Sequence, residues 1–307
     1  QAVTSIAANA LQSSGITSIV IPASLKSVGD QALNGVSSLI SVTFRDGSNL
    51  QTIGVNAFRQ TGITSITLPA SLESIGDYAF WADTALTSVT FADNSKLNSI
   101  GGWAFESSGL TAITIPASVE SIGALAFYNS QSLASVKFAA GSVLEHIGES
   151  AFRSIIISEF TIPASVETID NYAFYTSYQL ARVTFLGDAP ETMGIEVFNG
   201  TATGSTAYVS DTASGFGESG ATWNGLNVAL VGGSYDCVSD GLQTGTFTVT
   251  NLTVVSNESC EGFAEIPHGV QSIDDDAFEN SGLDSVSIAS TVVSIGQDSF
   301  SGSSVLE

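Results

Sequence analysis

The chain has 307 residues, and its 30 acidic side chains outnumber its seven lysines and arginines, giving a formal net charge of −23. A surface of this charge repels phosphate backbones and anionic lipids, so we expect no nucleic-acid partner and no membrane partner. No run approaches the roughly 18 apolar residues of a membrane span, so no membrane insertion is predicted. Every cation precedes residue 183, whereas 17 of the acidic residues follow it. This asymmetry favours solubility, and attraction to cationic partners or Ca²⁺ is the alternative.

Four prolines recur at a fixed interval in the first part of the chain. Pro22, Pro69, Pro116 and Pro163 are each 47 residues apart, within phrases such as Leu-Pro-Ala-Ser-Leu-Glu-Ser-Ile-Gly. Self-similarity at a fixed period is typical of a solenoid, in which one small unit is stacked many times. A second phrase, Ile-Gly-x-x-Ala-Phe, halves the period. Its phenylalanines follow one another in steps of 22 and of 24 or 25 residues: Phe58, Phe80, Phe105, Phe127, Phe152, Phe174 and Phe198.

Each repeat is predicted to contain one strand and one turn. Hexamers such as residues 63–68 have apolar side chains at positions one, four and six, which indicates a half-buried strand. The proline after the strand has no N–H to donate, so it ends the pairing. The Gly-x-x-Ala-Phe phrase predicts a short helical turn, with Asp30, Asp77 and Glu149 beside the exposed amides at its start. Stacking then buries the phenylalanines in one continuous column.

The outward strand positions are mostly serine and threonine. Strand propensity and solubility account for this pattern, and a matched surface for ice or a crystalline polysaccharide is an alternative. Three charged residues depart from the pattern toward one end, namely Lys137, Glu159 and Arg182. We predict that these three form a specific contact patch.

Aromatic residues recur beside the Ala-Phe phrase. Trp81, Tyr128 and Tyr175 each follow it and are again 47 residues apart. On the outer side of the turns these rings would stack on sugars or anchor a protein partner. The alternative is that they lean over neighbouring coils and seal the core.

The repeat pattern breaks after Phe198 and resumes later. The predicted organisation is a first repeat block over 1–199, a closing segment over 200–233, a β-rich entry with a second short repeat block over 234–305, and a cloning scar at 306–307. A solenoid end must shield its last apolar layer, and the candidate lids are Tyr208, Phe216 and Trp223.

The full phrase Leu-x-x-Ile-x-Ile-Pro-x-Ser-Val-x-Ser-Ile-Gly-x-x-Ala-Phe closely resembles the BspA-like (Treponema pallidum type) leucine-rich repeats. The resemblance covers residues 3–199 and 264–305. It implies an α/β repeat solenoid: a right-handed leucine-rich-repeat superhelix with parallel strands on the concave face and short helical turns or loops on the convex face. It also implies a secreted or cell-surface protein that acts in adhesion and in binding other proteins.

Cys237 and Cys260 are the only cysteines, and they are separated by 23 residues, about one repeat. This spacing allows them to lie side by side on adjacent coils, and in an exported protein it favours a disulfide. A free or metal-bound pair is the alternative, although no histidine or further cysteine clusters nearby.

Residues with the spacing of a catalytic site are not apparent. His146 and His268 are the only histidines and are far apart in the sequence, and we expect His146 to face solvent. Residues 274–276 are three aspartates that begin a predicted helical turn, with Ca²⁺ binding as the alternative. We therefore predict a monomeric, non-catalytic binding protein without a cofactor, whose partner is an extracellular or surface protein. A carbohydrate-binding module that uses the periodic aromatics is the alternative.

Overall fold

The computed structural model describes residues 2–303, and the scar predicted at 306–307 lies outside them. The chain divides into two units. Unit 1 comprises Gln1–Val183 and Pro190–Ser205, and unit 2 comprises Thr184–Ala189 and Thr206–Glu307.

The repeats form stacked coils, each with one longer and one shorter strand. The first 17 strands alternate between two and four residues: β1 (Ser5–Ile6), β2 (Ser18–Ile21), β3 (Ser27–Val28), β4 (Ser41–Phe44), β5 (Thr52–Ile53), β6 (Ser65–Leu68), β7 (Ser74–Ile75), β8 (Ser88–Phe91), β9 (Ser99–Ile100), β10 (Ala112–Ile115), β11 (Ser121–Ile122), β12 (Ser135–Phe138), β13 (His146–Ile147), β14 (Glu159–Ile162), β15 (Thr168–Ile169), β16 (Arg182–Phe185) and β17 (Thr192–Met193).

Strands of the same kind pair in parallel from coil to coil. The two-residue strands make one nine-stranded sheet in the order β1-β3-β5-β7-β9-β11-β13-β15-β17, and the four-residue strands pair as β2-β4, as β6-β8-β10-β12 and as β14-β16. Equivalent residues face each other across each ladder, as Ser65 and Ser88 do. The sequence period therefore becomes the spatial period, and side chains at one repeat position form a row.

The Gly-x-x-Ala-Phe phrase forms consecutive tight turns, so the predicted helical turn and the α/β class are wrong. No residue among 2–303 is helical. The Ala79 amide donates to the Gly76 carbonyl at 3.3 Å, and the Trp81 amide donates to the Tyr78 carbonyl at 3.1 Å. The amide of Tyr78 instead donates to Gly102 of the next coil at 2.8 Å. Because alternate amides bond to the next coil, they are not available for bonds within a helix.

Two of the three carboxylates predicted at helix starts, those of Asp30 and Asp77, bond to neighbouring coils instead. Asp30 Oδ1 accepts a hydrogen bond from the Val55 amide at 2.8 Å, and Asp77 Oδ1 accepts one from the Gly102 amide at 2.7 Å. Glu149 contributes its backbone carbonyl, which accepts from the amide of Leu125 at 2.8 Å. These acidic residues therefore hold adjacent coils together.

The core of unit 1 is the predicted phenylalanine column, which the structure confirms. Adjacent ring centroids are 5.2–5.4 Å apart and adjacent ring planes are within 13° of parallel, along Phe58, Phe80, Phe105, Phe127, Phe152, Phe174 and Phe198. All seven rings are buried. A row of glycines on the same coils brings the backbones into contact, and a Cβ on Gly123 would lie only 2.6 Å from the amide nitrogen of Gly102.

Unit 2 combines coils with antiparallel strands. Its strands are β18 (Thr206–Ser210), β19 (Thr222–Trp223), β20 (Leu226–Val231), β21 (Gly233–Ser239), β22 (Leu242–Thr250), β23 (Thr253–Glu258), β24 (Glu261–Ile266), β25 (Ser272–Ile273), β26 (Gly282–Ile288) and β27 (Ser294–Ile295). The last seven form one sheet in the order β26-β24-β21-β22-β23-β25-β27. Strand β21 pairs antiparallel with both β22 and β24, whereas β24 pairs parallel with β26.

The core of unit 2 surrounds a covalent link. Cys237 and Cys260 form a disulfide, with Cα atoms 5.4 Å apart, and both side chains are fully buried. Phe247 and Phe278 pack in the same cluster. Elsewhere in the unit, two of the predicted lids, Phe216 and Trp223, pack against each other with ring centroids 4.7 Å apart.

Candidate functional site

One face of unit 1 is paved with short hydroxyl side chains, and we call it the hydroxyl face. It consists of the outward residues of the four-residue strands, as in β6, where Ser65 and Thr67 are exposed while Ile66 and Leu68 are buried. The alternation follows from the two-residue period of a strand. Since the outward side chains of β6, β8 and β10 are short, the sheet backbone lies close to solvent along these three strands.

The three charged residues predicted as a contact patch lie on β12, β14 and β16. Lys137 is exposed and faces Thr114 across the β10–β12 ladder. Glu159 and Arg182 are half-buried and are each the first residue of their strands, whereas Lys137 is the third residue of β12. The structure therefore brings Glu159 and Arg182 to equivalent repeat positions and places Lys137 in a different row.

A cleft of about 620 Å³ lies where the strands β8 and β10 end, and sequence reasoning missed it. Thr90 and Thr114 contribute hydroxyl groups, and Asp93 and Asn94 contribute a carboxylate and an amide. The loop 92–95 belongs to one of the longer repeats and forms one wall. The next coil has the shorter Pro-Ala-Ser turn. The alternation of repeat lengths was therefore the signal that could have located this cleft.

The aromatic residues after the Ala-Phe phrase form a row with charged residues from the intervening coils. The Arg59 guanidinium lies over the Trp81 ring, 4.3 Å from its centroid. On the other side, the Trp81 indole N–H donates to Glu106 Oε2 at 3.0 Å. Burial raises the pKa of the Glu106 carboxyl, and the Trp81 hydrogen bond partly opposes this effect.

The same alternation continues further along the row. The guanidinium carbon of Arg153 lies 5.5 Å from the Tyr128 centroid and 5.0 Å from the Tyr175 centroid. Trp81, Tyr128 and Tyr175 are all half-buried. Their ring faces therefore pack against cations of adjacent coils, which is the arrangement of the core-sealing alternative.

A second aromatic row precedes the Ala-Phe phrase. The rings of Tyr78 and Trp103 stack with centroids 4.9 Å apart and planes 10° from parallel. Both residues have positive φ angles, 58° and 54°, a backbone conformation that costs roughly 1–2 kcal/mol outside glycine. Stacking between coils offsets part of that cost.

Asp83 is fully buried in unit 1, and sequence reasoning missed it as well. Its Oδ1 accepts a hydrogen bond from the Thr61 amide at 2.6 Å, and its Oδ2 lies 3.1 Å from the Thr61 hydroxyl. Burial raises the pKa of the Asp83 carboxyl well above its usual value, and the two Thr61 hydrogen bonds only partly oppose this shift. In other coils this repeat position is a buried serine, as at Ser108 and Ser130.

The remaining titratable candidates serve contacts between coils. His146 Nε2 and Asp170 Oδ2 are 2.8 Å apart, and both side chains are partly exposed. The three aspartates at 274–276 begin a series of turns and no helix. Asp275 Oδ1 accepts a hydrogen bond from the Gln297 amide at 2.6 Å. His268 packs near Tyr208, with ring centroids 6.1 Å apart.

Metal-binding clusters and membrane-spanning helices are both absent from residues 2–303. No group of three or more His, Cys, Asp or Glu side chains in this part of the chain is arranged to hold a metal ion. Nor does this part contain a helix with the length and apolar character of a membrane span.

Comparison with known families identifies the repeats. A family model described as the BspA type leucine rich repeat region matches six copies, over residues 4–134, 98–219 and 247–307. The chain belongs to the BspA-type leucine-rich repeat family. This confirms the predicted resemblance, and the match extends over both units.

One solved leucine-rich repeat structure shares the fold of this BspA-type chain, and others align with it over most of its length. A leucine-rich repeat protein from Bacteroides ovatus has a TM-score of 0.53 at 21% identity, covering 98% of this chain and 80% of that one. The pneumococcal vaccine antigen PcpA gives 0.46 at 22% identity, over 96% and 79%. A leucine rich cell surface protein from Faecalibacterium prausnitzii gives 0.39 at 21%, over 99% and 82%. No curated protein matches the chain significantly.

Proposed function

We propose that this BspA-type chain is an exported or cell-surface protein that acts as a monomer, binds another protein through the hydroxyl face, and performs no catalysis. Lys137, Glu159 and Arg182 supply specificity at one end of that face. The observation that carries the proposal is the continuous row of exposed, short side chains on β6, β8 and β10, which meets the exposed Lys137 on β12. Such a surface lets a partner approach the sheet closely over a large area.

The disulfide supports the proposed location outside the cytoplasm. Disulfides persist in oxidising compartments and are rare in reducing ones. Cys237 and Cys260 are bonded to each other, and they are the only cysteines in the sequence. The strongly acidic composition supports a soluble partner in preference to nucleic acid or anionic lipid.

The proposal is tested by titrating the labelled chain against an array of extracellular and cell-surface proteins. Each saturable interaction is then measured again with Lys137→Glu and with the matched charge reversal Lys26→Glu. Both lysines are exposed, but only Lys137 is part of the predicted contact patch. We expect about a tenfold loss of affinity for Lys137→Glu and no comparable loss for Lys26→Glu. The absence of any saturable partner for the folded chain, or equal losses in the two variants, counts against the proposal.

A glycan is the second candidate ligand, and the cleft favours it more than the aromatic rows do. Sugars stack on open ring faces, whereas the faces of Trp81, Tyr128 and Tyr175 pack against arginines. The cleft instead presents hydroxyl, amide and carboxylate groups from Thr90, Thr114, Asn94 and Asp93. On a glycan array, loss of signal with Asp93→Ala and not with Trp81→Ala would place a sugar in the cleft. The reverse result would restore the aromatic hypothesis.

A further inference from the structure

Unit 2 carries an exposed sheet face that differs in chemistry from the hydroxyl face. On β24 the side chains alternate, so that Gly262, Ala264 and Ile266 are buried while Glu261, Phe263 and Glu265 are exposed. Phe263 keeps 36% of its surface accessible, which is unusual for a phenylalanine on a sheet. An apolar ring is therefore flanked on its own strand by two carboxylates.

The neighbouring strand β21 continues the same pattern. Val238 is directly opposite Phe263 in the antiparallel register, and Cys237 is opposite Ala264 on the buried side. Asp236 therefore projects from the same side of β21 as Val238. It is exposed, and its Oδ1 accepts a hydrogen bond from the Gln243 side chain at 2.7 Å.

Strand β26 adds a further carboxylate on the other side of β24. The register shifts between Gly262 and Phe263, so that Gly262 pairs with Leu283 and Phe263 pairs with Ser285. Asp284 is the extra residue at this bulge and is exposed. We name this surface the acidic sheet face, formed by Asp236, Val238, Glu261, Phe263, Glu265 and Asp284.

No lysine or arginine lies near the acidic sheet face in the sequence. Residues 183–307 contain no lysine or arginine, so unit 2 has no basic side chain other than His268. A surface with one sign of charge attracts partners of the opposite sign and speeds their association. Exposed apolar side chains rimmed by charged ones are typical of protein interaction sites.

The spacing of the carboxylates favours a polycation over a metal ion. Successive outward residues of a strand are about 6.5–7 Å apart, whereas Ca²⁺ requires oxygens within about 2.6 Å of the ion. The face does not include any group of described side chains arranged to hold a metal. Charges spread in this way match the lysines and arginines of an extended chain better than a single ion.

We infer that the acidic sheet face binds a lysine- and arginine-rich segment of another protein that also carries an apolar side chain for contact with Phe263 and Val238. The carboxylates of Asp236, Glu261, Glu265 and Asp284 pair with the basic side chains. The surface lies in unit 2, so the inference is independent of the function proposed for the hydroxyl face.

A synthetic peptide with lysine and leucine alternating at every second position, with serine between them, serves as the probe, because an extended chain then presents both residue types on one side. Its binding to the full chain is followed by fluorescence anisotropy at low salt. The test variant is Asp236→Asn with Glu261→Gln and Glu265→Gln. The control variant carries the same loss of charge on exposed residues of unit 1, Asp46→Asn with Glu73→Gln and Glu191→Gln. We expect about a tenfold loss of affinity for the test variant and less than about twofold for the control. Equal losses in the two variants, or no binding by the wild type, would overturn the inference.

The apolar contact is tested separately. Phe263→Ser is compared with Leu242→Ser, which alters another exposed apolar residue of unit 2. We expect a several-fold loss of peptide affinity only for Phe263→Ser, with recovery in Phe263→Leu. Circular dichroism of each variant verifies folding. If Phe263→Ser folds and binds the peptide as the wild type does, the apolar part of the inference is wrong.

Discussion

In unit 1, each interior phenylalanine of the column lies between parallel rings of the coils on either side, as Phe105 lies between Phe80 and Phe127. In unit 2, the ring of Phe247 meets that of Phe278 at 59°, and the disulfide lies in the same core. Regular repetition lets each coil provide the packing surface for the next one. Where antiparallel strands replace the coils, that surface is lost, and a covalent link contributes to the stability of the core.

The largest effect is expected from removing one ring of the column. Phe105→Ala leaves a cavity between two stacked rings in a fully buried site and should destabilise unit 1 by about 3–5 kcal/mol. The matched change in unit 2 is Phe300→Ala, which removes a half-buried ring stacked on only one neighbour, Phe278. Urea unfolding followed by circular dichroism measures both losses. Equal losses would show that the column adds nothing beyond ordinary burial.

Removing the disulfide should have the next largest effect, and only in unit 2. Cys237→Ser with Cys260→Ser opens a loop with a sequence separation of 23 residues, which is worth about 3 kcal/mol in the chain-entropy account. Unfolding of unit 2 is followed by the fluorescence of Trp223 in a variant that lacks the other two tryptophans. Unfolding of unit 1 is followed by the fluorescence of Trp81 and Trp103 in a variant that lacks Trp223. A reducing agent should reproduce the effect in the wild type and change nothing in the double variant. A shift of the unit 1 signal would contradict this prediction.

Asp83 should make the stability of unit 1 depend on pH. Since burial raises its folded-state pKa, the folded chain retains a proton that the unfolded chain has lost. The wild type should therefore lose stability relative to Asp83→Asn as the pH rises from about 4 through the folded pKa. Each unit of difference between the folded and unfolded pKa corresponds to about 1.4 kcal/mol.

Chemical denaturation at pH 3.5 and at pH 7 measures this dependence. The control is Asp30→Asn, which changes an acidic residue whose carboxylate also bonds a neighbouring coil. Asp83→Ser, which restores the residue of the equivalent coils, should also remove the pH dependence. If the gap between wild type and Asp83→Asn is the same at both pH values, the Asp83 carboxyl has the same pKa in the folded and the unfolded chain and the prediction is wrong.

The smallest effect is expected from the aromatic rows. Trp81→Ala removes the contact with Arg59 and the hydrogen bond to Glu106, which together should cost about 1–2 kcal/mol. Tyr178 is 70% exposed, so Tyr178→Ala should change stability by less than about 0.5 kcal/mol. Thermal unfolding of the two variants compares them directly. If Trp81→Ala leaves the stability unchanged, the aromatic row does not seal the core.

The sequence was sufficient to predict the stacking because the phenylalanine spacing determines which side chains share a row. It also indicated the pairing of Cys237 with Cys260 through their separation of one repeat. The helical turn was mispredicted because short-range propensity does not reveal that the Tyr78 amide bonds to the next coil. Propensity also disfavours positive φ angles for Tyr78 and Trp103, yet contacts between coils hold both residues in that conformation.

The candidate sites were less accessible to sequence reasoning. Lys137, Glu159 and Arg182 stand out as exceptions to a repeat, but their rows depend on the register within each strand. The acidic sheet face depends on the bulge beside Phe263 and on the antiparallel register of β21, which no repeat pattern encodes. Asp83 occupies a position that looks like any polar turn residue until the coils are stacked.

Long and short loops alternate along unit 1, and the cleft lies between the loop 92–95 and the shorter turn of the next coil. A gene duplication or deletion of 47 residues would leave every loop beside neighbours of the same length as before. A change of a single coil would place two long loops or two short loops together and would erase or widen the cleft. The array is therefore expected to lengthen and shorten during evolution by pairs of coils.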